Sequence, residues 1–183
     1  YGAEYGEKRE VYEKIQKLTR ASLPIARGDW VIYNASRPPI YHEVLELPTN
    51  LKTLEDWLGI NRTENINKLK VLRAGFTDSG VSQHNRMIER HDSPYGAYWI
   101  SYDFASSTGL QNLFLNPLGP EYRDRKFDSY PFEHDGGEVI FNLPNGMQAY
   151  LLVDAKGNRI DKGPIEIVSD PFQPDRSVLN GIS

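Results

Sequence analysis

The sequence predicts an α+β domain: apolar residues recur at helical spacing in the first third, alternate in the last third, and no repeating strand–helix–strand order joins the two. In residues 7–22, Val11, Ile15, Leu18 and Ser22 share one side of a helix, with Lys17 and Arg20 near the negative end of its dipole. That stripe is expected to dock. Pro24 and Gly28 end the helix, residues 30–33 read as a short extended piece, and Pro38 and Pro39 open a second helix through Leu45. Thr49 is expected to cap a third helix that turns Leu51, Leu54, Trp57 and Leu58 inward, with Gly59 as its left-handed stop. Asn61 followed by Glu64 suits a fourth, burying Ile66 and Leu69.

Residues 75–131 are the least regular, with turn formers at Asp78 to Gly80, Ser93-Pro94, Ser106 to Gly109 and Gly119-Pro120. Residues 95–104 are the exception: a strand is predicted in which Tyr98, Ile100 and Tyr102 share one face and Trp99 takes the other. Residues 138–143 alternate, placing Val139, Phe141 and Leu143 together. Pro144-Asn145-Gly146 then turns the chain into a return strand over 147–153. Residues 154–158 give a second reversal, and 165–168 are expected to add an edge strand. The expected organisation is a single domain over 1–183, helical over 1–74 and loop- and strand-rich over 75–183.

Composition narrows the function classes. At 183 residues, about 70% of the unfolded surface can be buried, so a core needs no covalent staples. The formal charge of −4 comes from interspersed acidic and basic side chains, a pattern that disfavours nucleic acid as a partner. No apolar run approaches the ~20 residues of a membrane span. Residues 1–9 lack the apolar core of a secretion signal, so the signal of an exported protein lies outside these residues. The chain contains no Cys, which excludes disulfides, thiolate chemistry and covalent haem attachment within it.

No phosphate-cradling glycine loop, nucleophile elbow, His-Glu-x-x-His or calcium loop is present. Two of the four His precede an acid directly, as His91-Asp92 and His134-Asp135. A carboxylate beside imidazole can make a general base or metal ligand, or it can simply cap a turn. The paired glycines before Glu138 suit either the lip of a functional loop or a sharp turn. Arg86 and Arg90 could bind carboxylates such as haem propionates, or pair with Glu89, Asp92 or Asp103 to position the aromatic strand. Tyr95, Tyr98, Trp99 and Tyr102 could form a platform for sugar rings, or divide between core and surface.

A longer pattern carries a resemblance. It runs through Arg73-Ala74-Gly75-Phe76, Glu89-Arg90-His91, Tyr95-Gly96-Ala97-Tyr98-Trp99, His134-Asp135-Gly136-Gly137-Glu138, Leu143-Pro144-Asn145-Gly146 and Asp154-Ala155-Lys156-Gly157-Asn158-Arg159. Together these segments, spread over most of the chain, resemble the haem-free N-terminal domain of bacterial envelope proteins of the c-type cytochrome kind. In such proteins a segment like Val178-Leu179-Asn180-Gly181-Ile182-Ser183 leads into Cys-x-x-Cys-His. The resemblance implies a periplasmic or extracellular domain with no cofactor of its own, haem c on an adjacent segment, and that segment or a redox protein as partner. It supplies no catalytic residues; His91 and His134 are the weak candidates for an iron or other metal ligand.

Two other classes stand beside this one. An autonomous sugar- or small-ligand-binding module would use the aromatic strand with Arg86 and Arg90. A metal-dependent enzyme would use His91 and His134 with Asp135 or Glu138.

Overall fold

The computed structural model describes residues 4–22, 26–115, 119 and 132–181. The helix stop at Pro24 and the turn residue Pro120 lie outside them, as do Ile182 and Ser183. The chain divides into two compact units, residues 1–35 and 36–183.

The first unit carries α1 (Glu4–Thr19) and α2 (Gly28–Ala35). The stripe expected to dock is exposed instead, Val11 at 58% and Leu18 at 75%. Residues 30–33, expected to be extended, lie inside α2. The reason is local. Asp29 accepts the Trp30 N–H at 2.9 Å, Val31 N–H reaches the Arg27 carbonyl, and the Asn34 amide donates to the Trp30 carbonyl. A helix satisfies its backbone from within, whereas a β-prone run becomes a strand only beside a partner.

The second unit holds α3 (Ile40–Val44), α4 (Leu51–Leu58), α5 (Arg62–Asn67) and a sheet of β1 (Val71–Phe76), β2 (Arg86–Ser93), β3 (Gly96–Asp103), β4 (Gly136–Asn142), β5 (Gln148–Asp154) and β6 (Arg159–Ile160). The fold is therefore α+β, as the sequence predicts. The six strands lie in sequence order, and every neighbouring pair is antiparallel. Asn50, not Thr49, caps α4 by accepting the Thr53 N–H at 2.9 Å, and Asn61 does the same for Glu64 N–H on α5. Gly59 closes α4 in the left-handed region, φ 68°. Trp57 and Leu69, expected inside, are exposed; Leu69 lies past the end of α5.

The strand over residues 95–104 forms as β3 with the predicted division of faces. Tyr98, Ile100 and Tyr102 are buried beside Met87 of β2, Val139 and Phe141 of β4, and Ala149, Leu151 and Val153 of β5. Leu54, Leu58 and Ile60 complete this core from the helical side. Strands β1 and β2 are absent from the sequence-based expectation, because β2 turns Glu89 and His91 inward beside Met87 and so hides its alternation.

Residues 165–168, expected as an edge strand, instead begin with a turn in which Ile167 N–H bonds the Pro164 carbonyl, and β6 holds that edge. The paired glycines are neither a lip nor a turn but the start of β4. A Cβ on Gly137 would meet the Ser101 carbonyl oxygen at 2.2 Å, so only glycine lets β4 approach β3 this closely. No helix among the described residues is long and apolar enough to cross a membrane.

Candidate functional site

The helix-facing side of β2 and β3 buries a connected set of ionic and phenolic groups. Glu89 and His91 are both 0% exposed. Glu89 Oε1 accepts from Arg73 Nε at 2.7 Å, while its Oε2 accepts the Tyr102 hydroxyl at 3.1 Å and lies 3.3 Å from His91 Nε2. The other imidazole nitrogen, Nδ1, lies 3.4 Å from the Asn65 amide on α5. Arg62, at the start of α5, donates Nη1 to the Tyr102 oxygen at 2.7 Å and Nε to Glu55 Oε1 at 2.6 Å. The Tyr98 hydroxyl donates to the same Glu55 oxygen at 2.7 Å. One chain of bonds thus joins His91 in the interior to Glu55 on α4.

The electrostatics follow from this wiring. Burial works to raise the Glu89 carboxyl, yet the His91 bond and the Arg73 guanidinium outweigh it and hold the group below the ordinary carboxylate range. Burial pushes both Tyr98 and Tyr102 well above the usual phenol range, so both remain hydroxyl donors. Burial also opposes the charge on Arg62, but Tyr102 and Glu55 more than offset it.

At one end the network opens onto a cleft of about 450 Å³ lined by Lys52, Glu55, Arg62, Tyr102, His134 and Lys156, among others. The N-terminal turn of α4 and the turn between β5 and β6 form two of its sides, and they are stitched together by the Leu51 N–H bond to the Gly157 carbonyl at 2.8 Å. His134 stands against Tyr102, ring centroids 5.2 Å apart at 88°. Burial holds its imidazole below the ordinary range, against the opposing pull of Asp103 and Asp135. Burial therefore favours the neutral form of this imidazole.

The structure scatters the residues nominated from sequence. Arg86 is buried and grips Asp103 with two bonds, Nε to Oδ1 at 2.5 Å and Nη2 to Oδ2 at 3.0 Å. Arg90 bonds Asp92 at 2.7 Å and stacks over Trp99, 5.7 Å from the ring centroid. Both arginines serve the strand-positioning alternative. Tyr98 and Tyr102 are core residues, whereas Tyr95 and Trp99 are partly exposed, so the four aromatics form no shared platform. Asp135 Oδ2 accepts from Ala105 N–H at 2.7 Å and the Gln111 amide at 2.6 Å, clipping a loop. Glu138 faces away from the core side, and burial raises its carboxyl against the opposing effect of Arg86.

His91 spends both ring nitrogens inside the network, leaving none for a metal. Among the described residues, no group of three or more His, Asp or Glu is placed to hold a metal ion. Glu55, Arg62, Lys52 and Lys156 escaped the sequence reading. One signal was available: Glu55 lies four residues after Leu51 and three before Leu58, on the apolar stripe of α4. Compared with family models, curated proteins and solved structures, the chain matches none.

Proposed function

We propose that this chain is an accessory domain of an extracytoplasmic c-type cytochrome, and that it docks an adjacent haem-bearing segment, or a redox partner, against its surface. The observation that supports this reading is the attachment of residues 177–181. Lys162 pairs with Leu179 in an antiparallel bridge, and Gly163 N–H bonds the Val178 carbonyl at 2.9 Å. Asn180 is 0% exposed, its N–H on the Asp161 carbonyl and its amide on the Ile160 carbonyl, each at 2.9 Å. Gly181 follows at φ 118°, where a Cβ would strike the Ser36 carbonyl oxygen at 2.2 Å.

Polypeptide continuing from such an anchor starts with a fixed direction. A flexible linker would let a haem segment tumble; a clamped exit favours one covered edge. Two buried polar atoms at this anchor, His42 Nε2 and Asn180 Oδ1, have no hydrogen-bond partner among the described residues. A water or an adjoining segment would satisfy them. The haem would supply one-electron chemistry at iron; the domain's share is position and exclusion of water. Because Arg86 and His91 are occupied internally, the reading is one of docking rather than of propionate binding or iron ligation by those residues.

The test is the natural gene product extended past Ser183, matured in a compartment that attaches haem c. The expected result is a c-type absorption spectrum and a reduction potential that shifts when Asn180→Ala loosens the anchor. A native protein without haem absorbance, or a potential unchanged both by Asn180→Ala and by removal of the domain, overturns the proposal.

A further inference from the structure

The cleft beside His134 points to a function independent of any haem. Its acidic lining groups are already satisfied. Glu55 Oε1 takes Arg62 and Tyr98. Asp154 accepts Lys156 N–H and Asn158 N–H at 2.8 Å and the Asn158 amide at 2.9 Å. The basic groups are not equally consumed. Lys52 pairs with Asp56 on the surface of α4, whereas the Lys156 ammonium makes no ion pair among the described residues. His134 likewise makes no hydrogen bond there, although a neutral imidazole always carries one N–H donor.

Arg62 adds a third positive charge near the floor, held rigid by Glu55 and Tyr102. In the lining Arg62 is tied to Glu55 and Lys52 to Asp56, while Lys156 lies near Asp154, whose carboxyl it helps hold below the ordinary range; Lys156 is the cation there that no ion pair consumes among the described residues. A concave, half-enclosed site with a preorganised ionic floor and unspent donors at its wall is built for a small polar anion. We propose that this cleft binds a small molecule through a carboxylate or phosphate group, with Lys156 supplying the charge and the His134 N–H a directed hydrogen bond.

The groups that face His134 give the proposal a pH signature. Asp103, Asp135 and Asp154 favour its protonation, while burial and Arg62 oppose it. A bound anion would favour it further, so affinity should rise as pH falls through the imidazole range.

The experiment is an NMR titration of the isotopically labelled chain, with inorganic phosphate in one arm and succinate in the other. Expected are saturable shifts of the His134 imidazole and of residues 154–158, in the arm that names the oxyanion. Lys156→Gln, at an exposed turn position, should weaken binding by about tenfold, equivalent to about 1.4 kcal/mol. His134→Gln should abolish the tightening at lower pH. The proposal is overturned if neither anion gives saturable shifts by about 10 mM, far above the range of a specific site. It is equally overturned if Lys156→Gln binds as the parent does.

Discussion

One face of one sheet carries two different cores. Over β4 and β5 it is carbon throughout, with Val139, Phe141, Ala149, Leu151 and Val153 all buried. Over β2 and the adjoining edge of β3 it is ionic and hydroxylic, with Glu89, His91 and the Tyr98 and Tyr102 hydroxyls wired to Arg73, Arg62 and Glu55. The apolar half gains free energy in proportion to area and tolerates small errors of shape. The ionic half is stable only while every member keeps its partners, since each charge left alone in the interior carries a desolvation cost that nothing offsets. The placement of the ionic half under the cleft, with Arg62 and Tyr102 shared by both, suits a rigid, preorganised floor.

The largest expected effect lies in the ionic half. Glu89→Gln removes the charge that Arg73, His91 and Tyr102 share, and should destabilise the fold by about 3–5 kcal/mol in denaturant titration. In the apolar half, Leu151→Ala at a 0% exposed site should cost about 2–5 kcal/mol through lost transfer and the cavity left behind. The contrast sharpens with pH. The Glu89 carboxyl is depressed in the fold, so its contribution is full above the unfolded carboxylate pKa and is lost as pH falls through its lower folded value. The Glu89→Gln deficit should therefore shrink in acid while the Leu151→Ala deficit persists. Equal deficits at pH 7 and in acid would erase the proposed difference between the halves.

A smaller effect of opposite sign is expected on the reverse face. Burial raises the Glu138 carboxyl, so its ionised form weakens the fold, and that loss sets in as pH rises from the unfolded carboxylate pKa through the folded one. Glu138→Gln should raise the melting temperature at pH 7 and leave it nearly unchanged below pH ~4, where the wild-type group is protonated in both states. A lower melting temperature at pH 7 would show that the charge is stabilising.

Some of the site was legible in the residues and some was not, for identifiable reasons. The inward face of β3 and the β4–β5 hairpin follow from alternation and from Pro144-Asn145-Gly146, because apolar period and turn chemistry are local properties. The caps of α4 and α5 were within one residue of their observed places, again because a cap is a contact between near neighbours. By contrast, β2 was unreadable, since an inward Glu and His look like surface residues until partners from α5 and β1 reach them. The stripe of α1 misled for the converse reason: periodicity announces a helix face that can dock, not that something covers it.

The sequence by itself determined the class of fold, the sense in which β3 presents its aromatics, and the lack of a thiol within these 183 residues, all consequences of residue type and short-range order. Only the tertiary structure decided which charged side chains are interior and which line the cleft. Pairing of Arg62 with Glu55 and Tyr102, or of Arg73 with Glu89, joins positions 7, 40 and 16 residues apart. The free energy of a buried charge depends on what the folded chain brings within about 3 Å of it. Residue order alone does not encode that proximity.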